Sequence, residues 1–226
     1  MANRSETLLN LRNQIITAAK NYAGLTKKTY LYVYGQEYFE LLFAVGSFMH
    51  LTGVSTVLRA EDFYHKAITD TLSGQQLDFT KQQTMRKVKK KLPCLEQLPQ
   101  LTKTTVCVVK DLSTNTLLYK LGLTNLEFTL GVSQPSFANK FPAGVYIPRS
   151  LRVKDKAIEN SSAGDFVDFV LERNLDQRDA KYSRFTYRDL NKKFPVELYD
   201  LLEEKLRLEL EYVVCHCASN RAMHLA

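Results

Sequence analysis

Apolar positions change their spacing midway along the chain, and that change separates a helical first part from a stranded second part. Over residues 5–20, SETLLNLRNQIITAAK, the residues Leu8, Leu11, Ile15, Ile16 and Ala19 return every three or four positions. They predict a helix capped by Ser5 and closed by Gly24. The next segment, TYLYVYG, alternates aromatic and β-branched residues and predicts a short strand. From about Gln36 to Leu51, Tyr38, Leu41, Leu42, Val45, Phe48 and Met49 fit one face of a second helix, with Gly53 as its left-handed end. AEDFYHKAITDTL predicts a third helix along Phe63, Ile68 and Leu72, stopped by Gly74.

From Thr104 onward the period falls to two. TTVCVVK, LLYKLGL, LEFTLG and GVYIPRSL predict four strands joined as an antiparallel meander, and FVDFVLER and SRFTYRDL predict one or two further edge strands. The chain then predicts a C-terminal helix over 195–213. Pro195 falls in its first turn, Leu198, Leu201, Leu202, Leu206 and Val213 on its buried side, and Glu203 and Arg207 form an exposed i,i+4 pair. This order predicts an α+β fold, with N-terminal helices packed on a four- to six-stranded antiparallel meander sheet and a C-terminal helix. The second sheet face is then either open or covered by another helical layer.

With 226 residues and 45% hydrophobic content, a single domain over 1–226 is expected. Within it lie an N-terminal helix (1–24), an α+β core (30–190), a C-terminal helix (195–213) and a tail (214–226). No apolar run approaches the roughly 20 residues that cross a bilayer, and the amino terminus lacks the pattern of a signal peptide, so no membrane partner and a cytoplasmic location are expected. Cys94, Cys107, Cys215 and Cys217 show neither paired zinc spacing nor disulfide density. Cys215, His216 and Cys217 form the one cluster with metal-binding residue types, but without a second pair they do not predict a metal site.

Charge sharpens this picture. Lys and Arg number 31 against 24 for Asp and Glu, a net charge of +7 that favours a polyanionic partner. The excess is densest in KQQTMRKVKKK, residues 81–91, which holds no acid. There Lys87, Lys89 and Lys90 are candidates for phosphate contact, against the plainer reading of a solvated face or loop. LPCLEQLPQL predicts a short helical connector held between Pro93 and Pro99.

Glycine-rich phosphate loops, H-E-x-x-H, G-x-S-x-G and a carboxylate set for two-metal chemistry are all absent. The remaining hydroxyl, His and Arg/Lys residues suit cleavage of RNA by its own 2′-hydroxyl. That reaction needs a base, an acid and fixed cations around the phosphorane, and neither metal nor cofactor is expected. His50 in FMHLTG can move protons at neutral pH, although a His in a last helical turn also simply caps carbonyls. Thr52 beside it would orient a phosphate or bond its own backbone. In VYIPRSLRVK, Pro148 points to a strand edge or bulge, Arg149 to a planar phosphate clamp and Ser150 to a hydroxyl donor. Arg152 and Lys154 extend the positive strip, and Lys120 in LLYKLGL is a third cation if its side chain meets the same site. Arg59 and His65 in RAEDFYH approach the spacing of the all-helical HEPN ribonucleases, but six residues along a helix place them about 120° apart.

The segments FMHLTGV, RAEDFYHKAI, KLPCLEQLPQL, YKLGLTNLEFTLG and YIPRSLR occur in that order over about residues 30–190. Together they resemble a phage- and mobile-element-associated family of the barnase/EndoU/colicin/RelE-like nuclease fold, its fourth phage-type subfamily. The resemblance implies helices followed by a four-stranded antiparallel sheet and metal-independent RNA cleavage in a toxin or phage-host conflict setting. His50 and Thr52 from H-L-T-G, and Arg149 and Ser150 from P-R-S, are the positions it points to. The implied partners are RNA, with tRNA as one target class, and an antitoxin or immunity protein. Two other readings compete: a non-catalytic nucleic-acid-binding or regulatory protein, and an interaction module for an acidic partner. The catalytic reading requires the end of the second helix and the P-R-S strand end to meet in one positive cleft.

Overall fold

The computed structural model describes residues 4–80, 82–113, 118–135, 144–154, 164–175 and 180–211. Helix α1 (Arg4–Thr26) buries Leu11, Ile15, Ala18, Ala19, Tyr22 and Leu25. It passes through Gly24 instead of ending there, because Leu25 is still part of the buried stripe. Strand β1 (Lys28–Tyr34) then turns at Gly35, whose φ of +55° suits the tight reversal, into β2 (Glu37–Leu42).

The long helix expected over 36–51 therefore does not form. Its first half pairs with β1 from Thr29↔Leu42 to Tyr34↔Glu37, and only the second half is helical, as the short α2 (Ser47–Thr52). Gly53 ends α2 with a φ of +73°, as the sequence predicts. A two-residue strand β3 (Ser55–Thr56), helix α3 (Ala60–Ile68) and a two-residue β4 (Leu77–Asp78) follow. Helix α4 (Gln82–Glu96) takes in residues 82–91 of the basic run and Pro93, and a 3-10 turn, Leu98–Thr102, leads to the sheet. The run is thus one face of a packed helix: Val88, Leu92 and Leu95 anchor α4 in the core.

The meander forms as predicted. β5 (Cys107–Ser113), β6 (Leu118–Thr124), β7 (Phe128–Ser133) and β8 (Ile147–Val153) are antiparallel neighbours, and β9 (Asp165–Phe166) completes a sheet of order β8-β7-β6-β5-β9. The two late strands do not join this sheet. β10 (Phe169–Asn174) pairs with β1 and β11 (Arg184–Arg188) with β10, giving a second sheet of order β11-β10-β1-β2. The sheets meet where Tyr146 N–H donates to Glu40 O at 2.8 Å and Leu42 N–H donates to Tyr146 O at 2.9 Å.

One apolar cluster joins α1 to α4 with the inner faces of both sheets. A second covers the other face of the four-stranded sheet, where Leu31, Val33, Phe169 and Leu171 pack under Tyr182, Phe194, Leu198, Leu202, Leu206 and Leu210. That cover is not a single helix over 195–213. Glu203 N–H donates to Tyr182 O and Tyr182 N–H to Leu201 O, which holds the chain extended between a 3-10 turn (Val196–Leu201) and helix α5 (204–211). Arg207 accordingly pairs with Glu211 at 3.6 Å, not with Glu203, while Val213 lies outside the described residues. The architecture is α+β, and among the described residues no helix is long and apolar enough to cross a membrane.

Candidate active site

β8 occupies the outer edge of the five-stranded sheet. Its register with β7 passes from Val132↔Pro148 to Gly131↔Ser150, so Arg149 is the extra residue of a bulge. A bulge of this kind re-aims a side chain, which is what Pro148 predicts. The Arg149 side chain is exposed, and its Nε donates to Ser133 Oγ at 3.0 Å. Helix α2 packs directly against β8 and delivers His50 to the same place. His50 is exposed; burial of part of its ring, and then the positive charge of Arg149, hold its imidazole below the ordinary pKa. Helix end and P-R-S strand end thus meet.

α4 closes the other side. Between it and β8 lies a groove of about 260 Å³ lined by Lys87, Lys90, Lys91, Ser150, Leu151, Arg152 and Val153. Among the described residues, no carboxylate lines it. Ser150 Oγ is buried there without a hydrogen-bond partner, an unmet polar atom of the kind that a bound oxygen would satisfy. Lys91 is the member that residue-by-residue reading missed as distinct: it sits in a row of three lysines, and nothing local separates it from Lys89 and Lys90. Folding does. Its stem lies across Gly53, where a Cβ would come within 3.3 Å of both Cδ and Nζ. Burial first, then the charges of Lys87 and Arg152, bring its ammonium down to about 8.

The other sequence candidates fall in different places. Thr52 is fully buried: its Oγ1 donates to Met49 O at 2.7 Å and accepts from Val54 N–H at 3.1 Å. It fixes the chain after α2 and presents no hydroxyl to solvent, so the expected contact with a phosphate has no surface to act through. Lys89 is exposed but does not line the groove. Lys154 follows β8 with a φ of +49° and is exposed. Lys120 lies on β6, with its side chain outside the described residues, as is the Cys215-His216-Cys217 tail. Arg59 is the residue before α3 and His65 is in its last turn. Among the described residues, no group of three or more His, Cys, Asp or Glu could hold a metal ion.

A larger cavity of about 660 Å³ lies at the opposite edge of the sheet, by β9. Its lining includes Asp165, Asp168, Asp189 and Lys192. Asp168 accepts from Gly35 N–H at 2.8 Å and pairs with Lys192 at 3.5 Å. Three carboxylates would repel a phosphate, so charge decides for the smaller groove over the larger cavity.

The α2/α4/β8 junction therefore combines an imidazole, several cations and an unsatisfied hydroxyl, a set of groups suited to holding a phosphodiester. No curated protein and no solved structure matches the chain. A family model does, over residues 14–191: the chain belongs to the phage-Barnase-EndoU-ColicinE5/D-RelE like nuclease 4 family.

Proposed function

We propose that this nuclease-family chain is an endoribonuclease that cleaves RNA by attack of the 2′-hydroxyl on the adjacent phosphorus, without a metal ion. The observation that carries this reading is the meeting of His50 and Arg149, where α2 packs on β8, beside a groove lined by Lys87, Lys90, Lys91 and Arg152. A neutral imidazole accepts the 2′-hydroxyl proton, and holding His50 below its ordinary pKa keeps it neutral at physiological pH. Arg149, on its bulge, clamps a nonbridging oxygen, while Ser150 Oγ supplies a hydroxyl donor beside it. Lys87, Lys90 and Arg152 carry the flanking phosphates along the groove.

The test is incubation of the purified protein with tRNA and with total RNA in EDTA, followed by analysis of the cut ends. Products ending in 2′,3′-cyclic phosphate and 5′-hydroxyl are expected, with 2′-deoxy substitution at the cut site blocking cleavage. His50→Ala and Arg149→Ala should each lower the rate by about a hundredfold or more. Salt-dependent binding with no turnover would instead establish a non-catalytic RNA-binding protein.

A further inference from the structure

Among the cations of the groove, Lys91 is held differently from the rest. Lys87 and Lys90 are exposed on α4, whereas Lys91 is partly buried with its stem laid across Gly53, three residues beyond His50. Gly53 makes that path available twice over. Its φ of +73° ends α2, and its missing Cβ leaves the space that Lys91 fills. No ion pair to a described carboxylate holds the ammonium, and it faces the same groove as Ser150 and Arg152.

We propose that Lys91 is the general acid of the cleavage, donating the proton that the leaving 5′-oxygen requires; the inference rests on the RNA-cleavage reading above. In-line displacement places the attacking and departing oxygens on opposite sides of phosphorus, so base and acid come most simply from different elements. His50 comes from α2 and Lys91 from α4. Arg149 and Arg152 do not fill the role, because a guanidinium does not release its proton near neutral pH. In the step, the His50 imidazole takes the 2′-hydroxyl proton and O2′ bonds to phosphorus. The bond from phosphorus to O5′ breaks, its electron pair goes to O5′, and a proton from Lys91 Nζ completes the 5′-hydroxyl. His50 is left charged and Lys91 neutral, and exchange with water restores both. The ammonium's lowering to about 8 by burial, Lys87 and Arg152 makes it a readier donor, while leaving it mostly charged at neutral pH.

The experiment compares wild type, Lys91→Arg and Lys91→Met on two short RNAs cut at the same site. One has an ordinary phosphodiester and the other a 5′-bridging sulfur, whose thiolate leaves without protonation. Both variants, checked by circular dichroism for wild-type folding, should lose about a hundredfold or more on the ordinary RNA. On the sulfur-bridged RNA most of that loss should disappear. The wild-type rate should also fall above pH of about 8, and Lys91→Arg should lack that limb. A fully active Lys91→Arg, or variants slowed equally on both RNAs, would overturn the acid role while leaving RNA cleavage intact. A wild type that cuts neither RNA would remove the cleavage reading itself, and the acid role with it.

Discussion

On the RNA-cleavage reading His50 must be neutral to take a proton, and two influences favour that form: partial burial of the ring, which is the larger, and the charge of Arg149. Removing the charge in Arg149→Gln should raise the imidazole pKa, though not fully to its ordinary value, since burial remains. The base is active above its pKa, so the acidic limb of the pH–rate profile should lie below the usual histidine range in wild type and move upward in Arg149→Gln. NMR titration of His50 in the free protein checks the same shift without substrate, and an unchanged pKa would show that the two side chains are not coupled. His50, Arg149 and Ser150 were legible because each has a distinctive chemistry or sits beside Pro148. Lys91 was not, since its difference from Lys89 and Lys90 comes wholly from what α4 packs against. Thr52 shows the reverse case: a plausible hydroxyl in the right segment whose bonds to Met49 and Val54 tie it to the backbone.

Among the elements, the meander was readable because short strands with period-two patterns and brief connections leave few other arrangements. Residues 37–42 were misread for a physical reason: Leu41 and Leu42 meet a helical stripe as well as a strand, and pairing with β1 is a long-range fact. The same holds for β10, which reads as an edge strand and becomes central through β1. α4 turns a run of charge into a directed surface. Lys87, Lys90 and Lys91 face the groove, three and four residues apart, while Lys89 points elsewhere. Lys87→Gln with Lys90→Gln should therefore weaken RNA binding and flatten the slope of log affinity against log salt by about 1 to 2. Lys89→Gln should leave that slope nearly unchanged. Fluorescence anisotropy over a salt series measures both, and equal effects at all three lysines would mean that RNA reads the helix as diffuse charge and not through the groove.

At the scale of the whole molecule, a covered sheet stands behind the working edge. The four-stranded sheet is covered on the face turned away from helices α1 to α4, because the C-terminal segment packs over it with Phe194, Leu198, Leu202 and Leu206. Phe194 meets Phe169, Phe185 and Tyr199 within 5.2 to 6.1 Å, centroid to centroid, on the face of β10 turned away from α1 to α4. The groove lies along β8, in the other sheet, and the two sheets are joined through Tyr146 and β2. On the RNA-cleavage reading, stability and chemistry are thus set in different layers. Phe194→Ala should cost about 3 kcal/mol of stability, because it empties a buried aromatic site. Its cleavage rate per folded molecule should stay near wild type at temperatures well below the melting transition. Denaturant titration beside an RNA cleavage assay separates the two effects. Loss of cleavage in a folded Phe194→Ala would mean that the cover acts on the groove through the Tyr146 junction, which ties β2 to the start of β8.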